Sequence, residues 1–195
     1  MERRQVIKRN LEDSLQLKKL LLEDDQVIGK AESVAVAIVN CFQNDGKVLF
    51  CGNGGSAADA QHLAAELSGR YYFDRPALFA EALHVNSSYL TAVANDNSYD
   101  EIYSRMVGSI GNEKDVLIGL STSGNSENII RALISGKEKG MTTVAFTGND
   151  GGRLKNHASI CIQIPSADTP RIQECHLLLG HAICEIVEKE MFPNS

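Results

Sequence analysis

The stretch that decides the fold runs from Lys47 to Leu67 and reads KVLFCGNGGSAADAQHLAAEL. It begins with a short β-rich run ending at Cys51, continues through the glycine segment Gly52–Gly55, and then becomes rich in alanine. A strand, a glycine loop and a helix in this order make half of a βαβ unit. This segment alone therefore predicts an α/β protein.

The same order of elements returns later in the chain. A predicted strand at 115–120, apolar after Asp115, is followed by a polar loop at 121–125 and by a predicted helix from Ser126 to about Lys139. Further predicted elements are strands at 142–146, 160–164 and, more weakly, 77–83, and a last helix at about 171–190. Because the strands are continuously apolar and alternate with helices, we expect a parallel sheet covered on both faces.

Two helices are predicted over residues 3–42, ahead of the first strand, with a break near Asp24 and Asp25. The apolar face of the first helix needs a partner, either in this domain or in another subunit. We therefore expect one doubly wound domain over 1–195, with about five strands. Residues 1–42 would form an N-terminal helical arm and 43–195 the α/β core.

Composition limits the classes of function. The 195 residues include 19 Lys and Arg against 25 Asp and Glu, a net charge of −6, which argues against a nucleic-acid surface but permits a local anion pocket. No run approaches the roughly 18 apolar residues of a membrane helix, and the mixed-charge N-terminus does not resemble a secretory signal. The five cysteines are widely spaced without a Cys-x-x-Cys pair, which disfavours a disulfide framework or zinc ribbon. These features predict a cytoplasmic protein.

Two loops are the first candidates for ligand binding, because ligands of open parallel sheets bind beyond the carboxyl ends of the strands. The loop at 52–56 can bring backbone N–H groups close to a ligand, and the loop at 121–126 adds four hydroxyls at the start of a helix. In the simpler alternative, Ser56 and Ser126 only cap helices and the glycines only make turns. Two such loops at one sheet edge favour phosphate binding, although neither matches a dinucleotide fingerprint or a Walker loop.

Acid–base and metal chemistry is suggested by His62 and Glu66, which share a helical face at i, i+4 spacing. They suit a shared metal or an acid–base pair, whereas the alternative is a solvated surface pair worth a few tenths of a kcal/mol. On the last helix, Gln173 and His181 lie eight residues apart, about 12 Å along an ideal helix. Spacing alone therefore does not single out Gln173 as a ligand.

Three blocks together resemble the sugar isomerase (SIS) domain family, over about residue 5 to Met191. They are CGNGGSAADAQHLAAEL from Cys51 to Leu67, LSTSGNS from Leu120 to Ser126, and RIQExH from Arg171 to His176. Specifically, the blocks look like those of members that convert sedoheptulose 7-phosphate into glycero-manno-heptose 7-phosphate at the entry to bacterial heptose synthesis. The resemblance implies a flavodoxin-like three-layer sandwich and a homotetramer with active sites at subunit interfaces, without nucleic-acid or membrane partners.

The same resemblance implies roles for individual residues. It assigns Glu66 as the catalytic base and His181 as the acid. One zinc ion per subunit would be held by His62, Glu66, Gln173 and His181. The implied contacts to the sugar phosphate are Asn53, Gly54, Gly55, Glu66, Asn95, Asp96, Ser121, Thr122, Ser123, Ser126 and Gln173.

Two alternatives stay open at this point. A similar SIS-domain protein is a tetrameric, non-catalytic adaptor that binds the bacterial replication initiator DnaA. The presence of Glu66, Ser123 and His181 favours the enzyme over the adaptor. An isomerase acting on another sugar phosphate is the other alternative, because these loops would tolerate it.

Overall fold

The structure, a computed structural model, describes residues 2–193, so that Met1, Asn194 and Ser195 of the predicted domain lie outside the described residues. The α-helices are α1 (Arg3–Leu22), α2 (Asp25–Gln43), α3 (Gly55–Ser68), α4 (Ser87–Asp96), α5 (Ile102–Ile110), α6 (Glu127–Glu138) and α7 (Thr169–Met191). The strands are β1 (Val48–Gly52), β2 (Ala80–Ala82), β3 (Val116–Ser121), β4 (Thr142–Thr147) and β5 (Ile160–Gln163).

The five strands form one sheet in the order β2-β1-β3-β4-β5, and every neighbouring pair is parallel. This is the flavodoxin-like order, so the predicted fold class is confirmed. In this order the chain reverses its direction of growth between β1 and β3, which are adjacent. The loops that follow these two strands therefore open beside each other, where open α/β sheets bind ligands.

Both faces of the sheet are covered, because successive side chains of each buried strand point to opposite sides. In β1, Val48 and Phe50 face the core formed with α2, α3 and α7. Leu49 and Cys51 face the second core, which includes buried residues of α5 and α6. The sheet thus separates α3 and α7, which carry the candidate metal ligands, from the helix that follows the serine loop.

The helices agree with the sequence expectation at one point and differ from it at two. The predicted break at Asp24 is confirmed: its side chain accepts hydrogen bonds from the backbone of Gln26 and Val27 and so caps α2. However, α2 belongs to the sandwich and not to an arm, because Val34 and Ile38 are buried in the core beside α7. The short helices α4 and α5 were not predicted. In α4 the apolar periodicity is weak, with Val93 its one buried residue, whereas α5 has an apolar face but spans only nine residues.

All five cysteines are free thiols. None of the helices between residues 2 and 193 is long and apolar enough to cross a lipid bilayer.

Candidate functional site

The glycine loop after β1 brings uncapped backbone N–H groups to the sheet edge. Gly54 is the N-cap of α3 and has a φ of 55°, a conformation that favours glycine, and no side chain caps this helix. Ser56, a cap candidate in the simpler alternative, is buried within the first turn. The start of α3 is therefore available to an anion.

The serine loop after β3 gathers three hydroxyl groups at the start of α6. Ser121 Oγ lies 3.0 Å from Ser126 Oγ and 3.4 Å from Ser123 Oγ. Ser126 occupies the N-cap position of α6, but its side chain makes no capping bond. The hydroxyl cluster and the helix terminus together form a set of donors suited to phosphate oxygens.

The carboxylate that follows Ser126 in the chain is paired with two arginines. Glu127, in the first turn of α6, binds Arg131 at 3.0 Å and Arg153 at 2.8 Å, and these bonds lower the pKa of its carboxyl group. Because this carboxylate is paired, it does not oppose a phosphate at the helix start, although the chain as a whole carries a net negative charge.

The two loops are joined by a reciprocal pair of amides. Asn53 donates to Asn128 and accepts from it, each at 2.9 Å, and Tyr99 Oη donates to Asn53 Oδ1 at 3.0 Å. Tyr103, fully buried, donates its hydroxyl to the carbonyl of Gly52. The sequence analysis did not identify Asn128, Tyr99 or Tyr103. The position of Asn128 two residues after Ser126 was the one available signal.

The candidate metal ligands meet between α3 and α7. The Nε2 atoms of His62 and His181 lie 2.8 Å apart, and Glu66 Oε1 lies 3.3 Å from His62 Nε2. One ligand atom from each of the three residues lies within 4.8 Å of the others. Burial and His62 lower the pKa of His181, and Glu66 acts in the opposite direction. The three residues thus offer two imidazole nitrogens and one carboxylate oxygen to one point between the helices.

The geometry and chemistry of this group fit zinc. Two histidines and one carboxylate are a donor set of catalytic zinc sites, with a fourth position left for water or substrate. The His62 side chain is 46% exposed, which leaves a path for entry.

Gln173 lies apart from these three ligands along the helices. Its amide packs so closely against Gly55 that a Cβ there would overlap it, whereas His62 is seven residues further along α3, about 10.5 Å. Gln173 therefore belongs to the surroundings of the glycine loop in one protomer. Its role as a zinc ligand stays a prediction.

The remaining predicted contacts lie at the same sheet edge or near it. Thr122 accepts a backbone hydrogen bond from Gly148 and lines a cleft of about 310 Å³ beyond β3, β4 and β5. Asn95 and Asp96 end α4, are exposed, and bind each other at 2.8 Å. Their contact with a substrate stays a prediction.

Known proteins are similar to this chain in both fold and sequence. Residues 3–148 match the family model of the SIS domain. Over 186 residues, the chain is 50% identical to the phosphoheptose isomerase of Sulfurimonas denitrificans and 49% identical to that of Clostridium acetobutylicum, with 95% of each chain covered.

Two solved structures resemble this chain in both fold and sequence. The phosphoheptose isomerase of Neisseria gonorrhoeae is 38% identical with a TM-score of 0.89, covering 95% of this chain and 98% of that one. The enzyme of Francisella tularensis is 35% identical with a TM-score of 0.91, covering 97% and 100%. Because these likenesses extend over nearly the whole chain, the protein belongs to the SIS domain family and, within it, to the phosphoheptose isomerases.

Proposed function

We propose that this protein interconverts sedoheptulose 7-phosphate and D-glycero-D-manno-heptose 7-phosphate, an aldose–ketose isomerisation in the synthesis of bacterial surface heptose. The observation that carries the proposal is the group of His62, Glu66 and His181 in a fold that also presents two anion-binding loops. The names and identities of the relatives support the same substrate.

The glycine loop after β1 and the serine loop after β3 bind the substrate. The hydroxyls of Ser121, Ser123 and Ser126 and the start of α6 hold the phosphate, while Asn53, Gly54 and Gly55 approach the sugar with amide groups. Thr122, Asn95, Asp96 and Gln173 complete the proposed contacts. Fixing the phosphate orients the distant reacting carbons and so contributes to the rate.

The chemistry moves one proton between two carbons through a 1,2-enediol. Glu66 removes the proton from C1 while His181 protonates the carbonyl oxygen at C2. In the second half, Glu66 returns the proton to C2 and His181 accepts the proton from the oxygen at C1, which leaves the aldehyde. Atoms and electrons balance without an added oxidant or reductant.

We propose zinc as the cofactor, one ion per subunit, held by His62, Glu66 and His181 with Gln173 as the predicted further ligand. When bound, it would polarise the carbonyl and stabilise negative charge on oxygen. The residues themselves bind, orient and exchange protons with the substrate.

We propose a homotetramer in which a second copy completes each active site. Enediol chemistry benefits from exclusion of water, yet the His62 side chain is 46% exposed in one protomer. On α1, Ile7, Leu11 and Leu15 are 62%, 66% and 54% exposed, an apolar stripe suited to burial against another subunit. We place the protein in the cytoplasm, which agrees with its five free thiols.

The isomerase assay is the direct test. Purified protein given sedoheptulose 7-phosphate should form the aldose phosphate, and Glu66→Gln or His181→Ala should lower kcat by about a hundredfold or more. Glu185→Gln is the matched control, because Glu185 is paired with Lys189 on α7 and has no proposed catalytic role. Full turnover by Glu66→Gln or His181→Ala would refute the assigned roles.

Three further measurements test the cofactor and separate the alternatives. Removal of metal should abolish activity and added zinc should restore it, whereas unchanged activity in verified metal-free protein would exclude a required metal. An inactive protein that captures the initiator DnaA in a pull-down would support the adaptor hypothesis. Turnover of a different sugar phosphate in preference to the heptulose would support the other isomerase.

A further inference from the structure

A buried ion pair lies beside the proposed metal ligands and has no part in the chemistry described above. Arg75 Nε lies 2.9 Å from Glu188 Oε1, and the two side chains are 0% and 1% exposed. A buried pair loses much hydration and is retained only with good geometry and additional hydrogen bonds. The partners of Arg75 and Glu188 therefore show what the pair holds in place.

Arg75 binds the end of α3. Its Nη2 donates to the carbonyl of Glu66 at 2.9 Å, and its Nη1 donates to the carbonyls of Leu67 at 2.8 Å and Gly69 at 3.2 Å. The last carbonyls of a helix lack partners within the helix, so the guanidinium supplies them. One of them belongs to Glu66, the proposed base and metal ligand.

Glu188 binds the connection that follows α3, residues 69–76, called the strap here. Its carboxylate accepts from the backbone N–H groups of Tyr71 at 2.8 Å, Tyr72 at 2.6 Å and Phe73 at 3.1 Å. The ring centroid of Tyr71 lies 5.7 Å from that of His181. Glu188 thus holds a ring that contacts the third metal ligand.

The pair and the metal ligands form one row between the helices. Glu188 follows His181 by seven residues on α7, which places both on one face about 10.5 Å apart. Arg75 joins this row to α3, because it binds both Glu188 Oε1 at 2.9 Å and the carbonyl of Glu66 at 2.9 Å.

We propose that Arg75 and Glu188 are positioning residues of the metal centre, which set the spacing of α3 and α7 so that His62 and Glu66 meet His181. The inference rests on the proposed function, because it assumes a metal at these ligands. Groups that orient metal ligands from outside typically contribute ten- to a hundredfold to metal affinity.

The test measures zinc affinity, not turnover. Metal-stripped protein is titrated with zinc in competition with a coloured chelator, at a temperature where circular dichroism shows each variant folded. Glu188→Gln leaves Arg75 without its counter-charge, and Arg75→Lys keeps the charge but loses the planar fork that reaches the helix carbonyls. Both should weaken zinc binding by about tenfold or more.

The matched control is Asp115→Asn, in the connection immediately before β3 and outside α3, α7 and the strap. Asp115 is buried, binds Lys47 Nζ at 2.6 Å, and accepts the backbone N–H groups of Lys47 at 3.0 Å and Asn112 at 2.9 Å. This variant should lower the melting temperature but keep zinc affinity within twofold. Arg75→Lys carries the test if Glu188→Gln fails to fold.

Failure of this inference differs from failure of the proposed function. Zinc affinity in Glu188→Gln and Arg75→Lys equal to that of Asp115→Asn would overturn the positioning role, even in an active isomerase. A zinc-binding protein that does not isomerise the heptulose would overturn the function and leave the affinity comparison valid. An unaltered chain that binds no zinc would overturn the inference together with the metal.

Discussion

At the scale of single residues, the hydroxyl of Ser126 does not cap the helix that it precedes. It occupies the N-cap of α6 but binds the hydroxyl of Ser121 at 3.0 Å instead of the helix backbone. Removing this hydroxyl should therefore affect the ligand more than the fold. A capping serine would show the opposite balance.

We predict that Ser126→Ala raises KM for the sugar phosphate by roughly ten- to a hundredfold, because a hydrogen bond to a charged group is worth about 1.5–3 kcal/mol. The free energy of unfolding should change little. Steady-state kinetics and urea unfolding measure the two effects. Thr91→Ala, which removes an exposed hydroxyl bonded within α4, should change neither KM nor kcat. An unaltered KM in Ser126→Ala would contradict the phosphate role.

His176 is the residue whose ionisation should be most visible in stability. It is fully buried, its Nε2 lies 3.1 Å from the carbonyl of Thr147, and burial lowers its pKa to about 4. The unfolded chain binds a proton below about pH 6.5, whereas the folded chain does not until about pH 4. The stability contribution is thus complete above pH 6.5 and is lost as the pH falls through this window.

We therefore predict that His176 alone costs about 1.4 kcal/mol of unfolding free energy between pH 7.5 and pH 5.5. His176→Gln keeps a donor for Thr147 but does not titrate, so its unfolding free energy should depend less on pH by that amount. Urea unfolding at both pH values makes the comparison. Equal pH dependence in the two proteins would show that His176 is already protonated or remains hydrated.

At the scale of elements, the contact of α3 with α7 depends on Gly180. A Cβ at this position would lie 2.6 Å from both δ-carbons of Leu63. The neighbouring residues His62 and His181 are proposed metal ligands, so this close approach brings the two sides of the proposed metal site together. The absence of a side chain at one helical position thus has a direct consequence for the site.

We predict that Gly180→Ala lowers the free energy of unfolding by about 1–3 kcal/mol through overpacking and weakens zinc binding. Leu63→Ala in the same protein should restore much of the zinc affinity, because it makes room for the new methyl group. A double-mutant cycle of chemical unfolding and zinc titration measures the coupling. Strict additivity of the two changes would refute the close-packing explanation.

At the scale of the whole molecule, the exposed stripe of α1 bears on assembly. We predict that replacing both Leu11 and Leu15 with Glu lowers the molar mass of the oligomer in solution, because charged side chains cannot be buried unpaired at an interface. Size-exclusion chromatography with light scattering measures this molar mass. Gln16→Glu, an exposed site on another face of α1, should leave the mass unchanged. A tetrameric double variant would exclude this stripe from the interface.

The local pattern of the sequence determined the strands, the two ligand loops, the break at Asp24 and the common face of His62 and Glu66. These features repeat over a few residues, so periodicity and turn chemistry report them directly. Resemblance to the SIS domain family added roles, such as that of Gln173, which spacing alone did not supply.

Only the tertiary structure decided which distant residues meet. His181 contacts His62 across 119 residues, Glu188 binds Arg75 across 113, and Asn128 joins Asn53 across 75. The reason is physical: local pattern shows which face of an element is apolar, whereas strand order and the packing of α3 against α7 determine what that face meets. The loops could be foreseen from the local pattern, and the resemblance implied that His62, Glu66 and His181 act together. Their contact across α3 and α7, and the ion pair beside them, were found only in the fold.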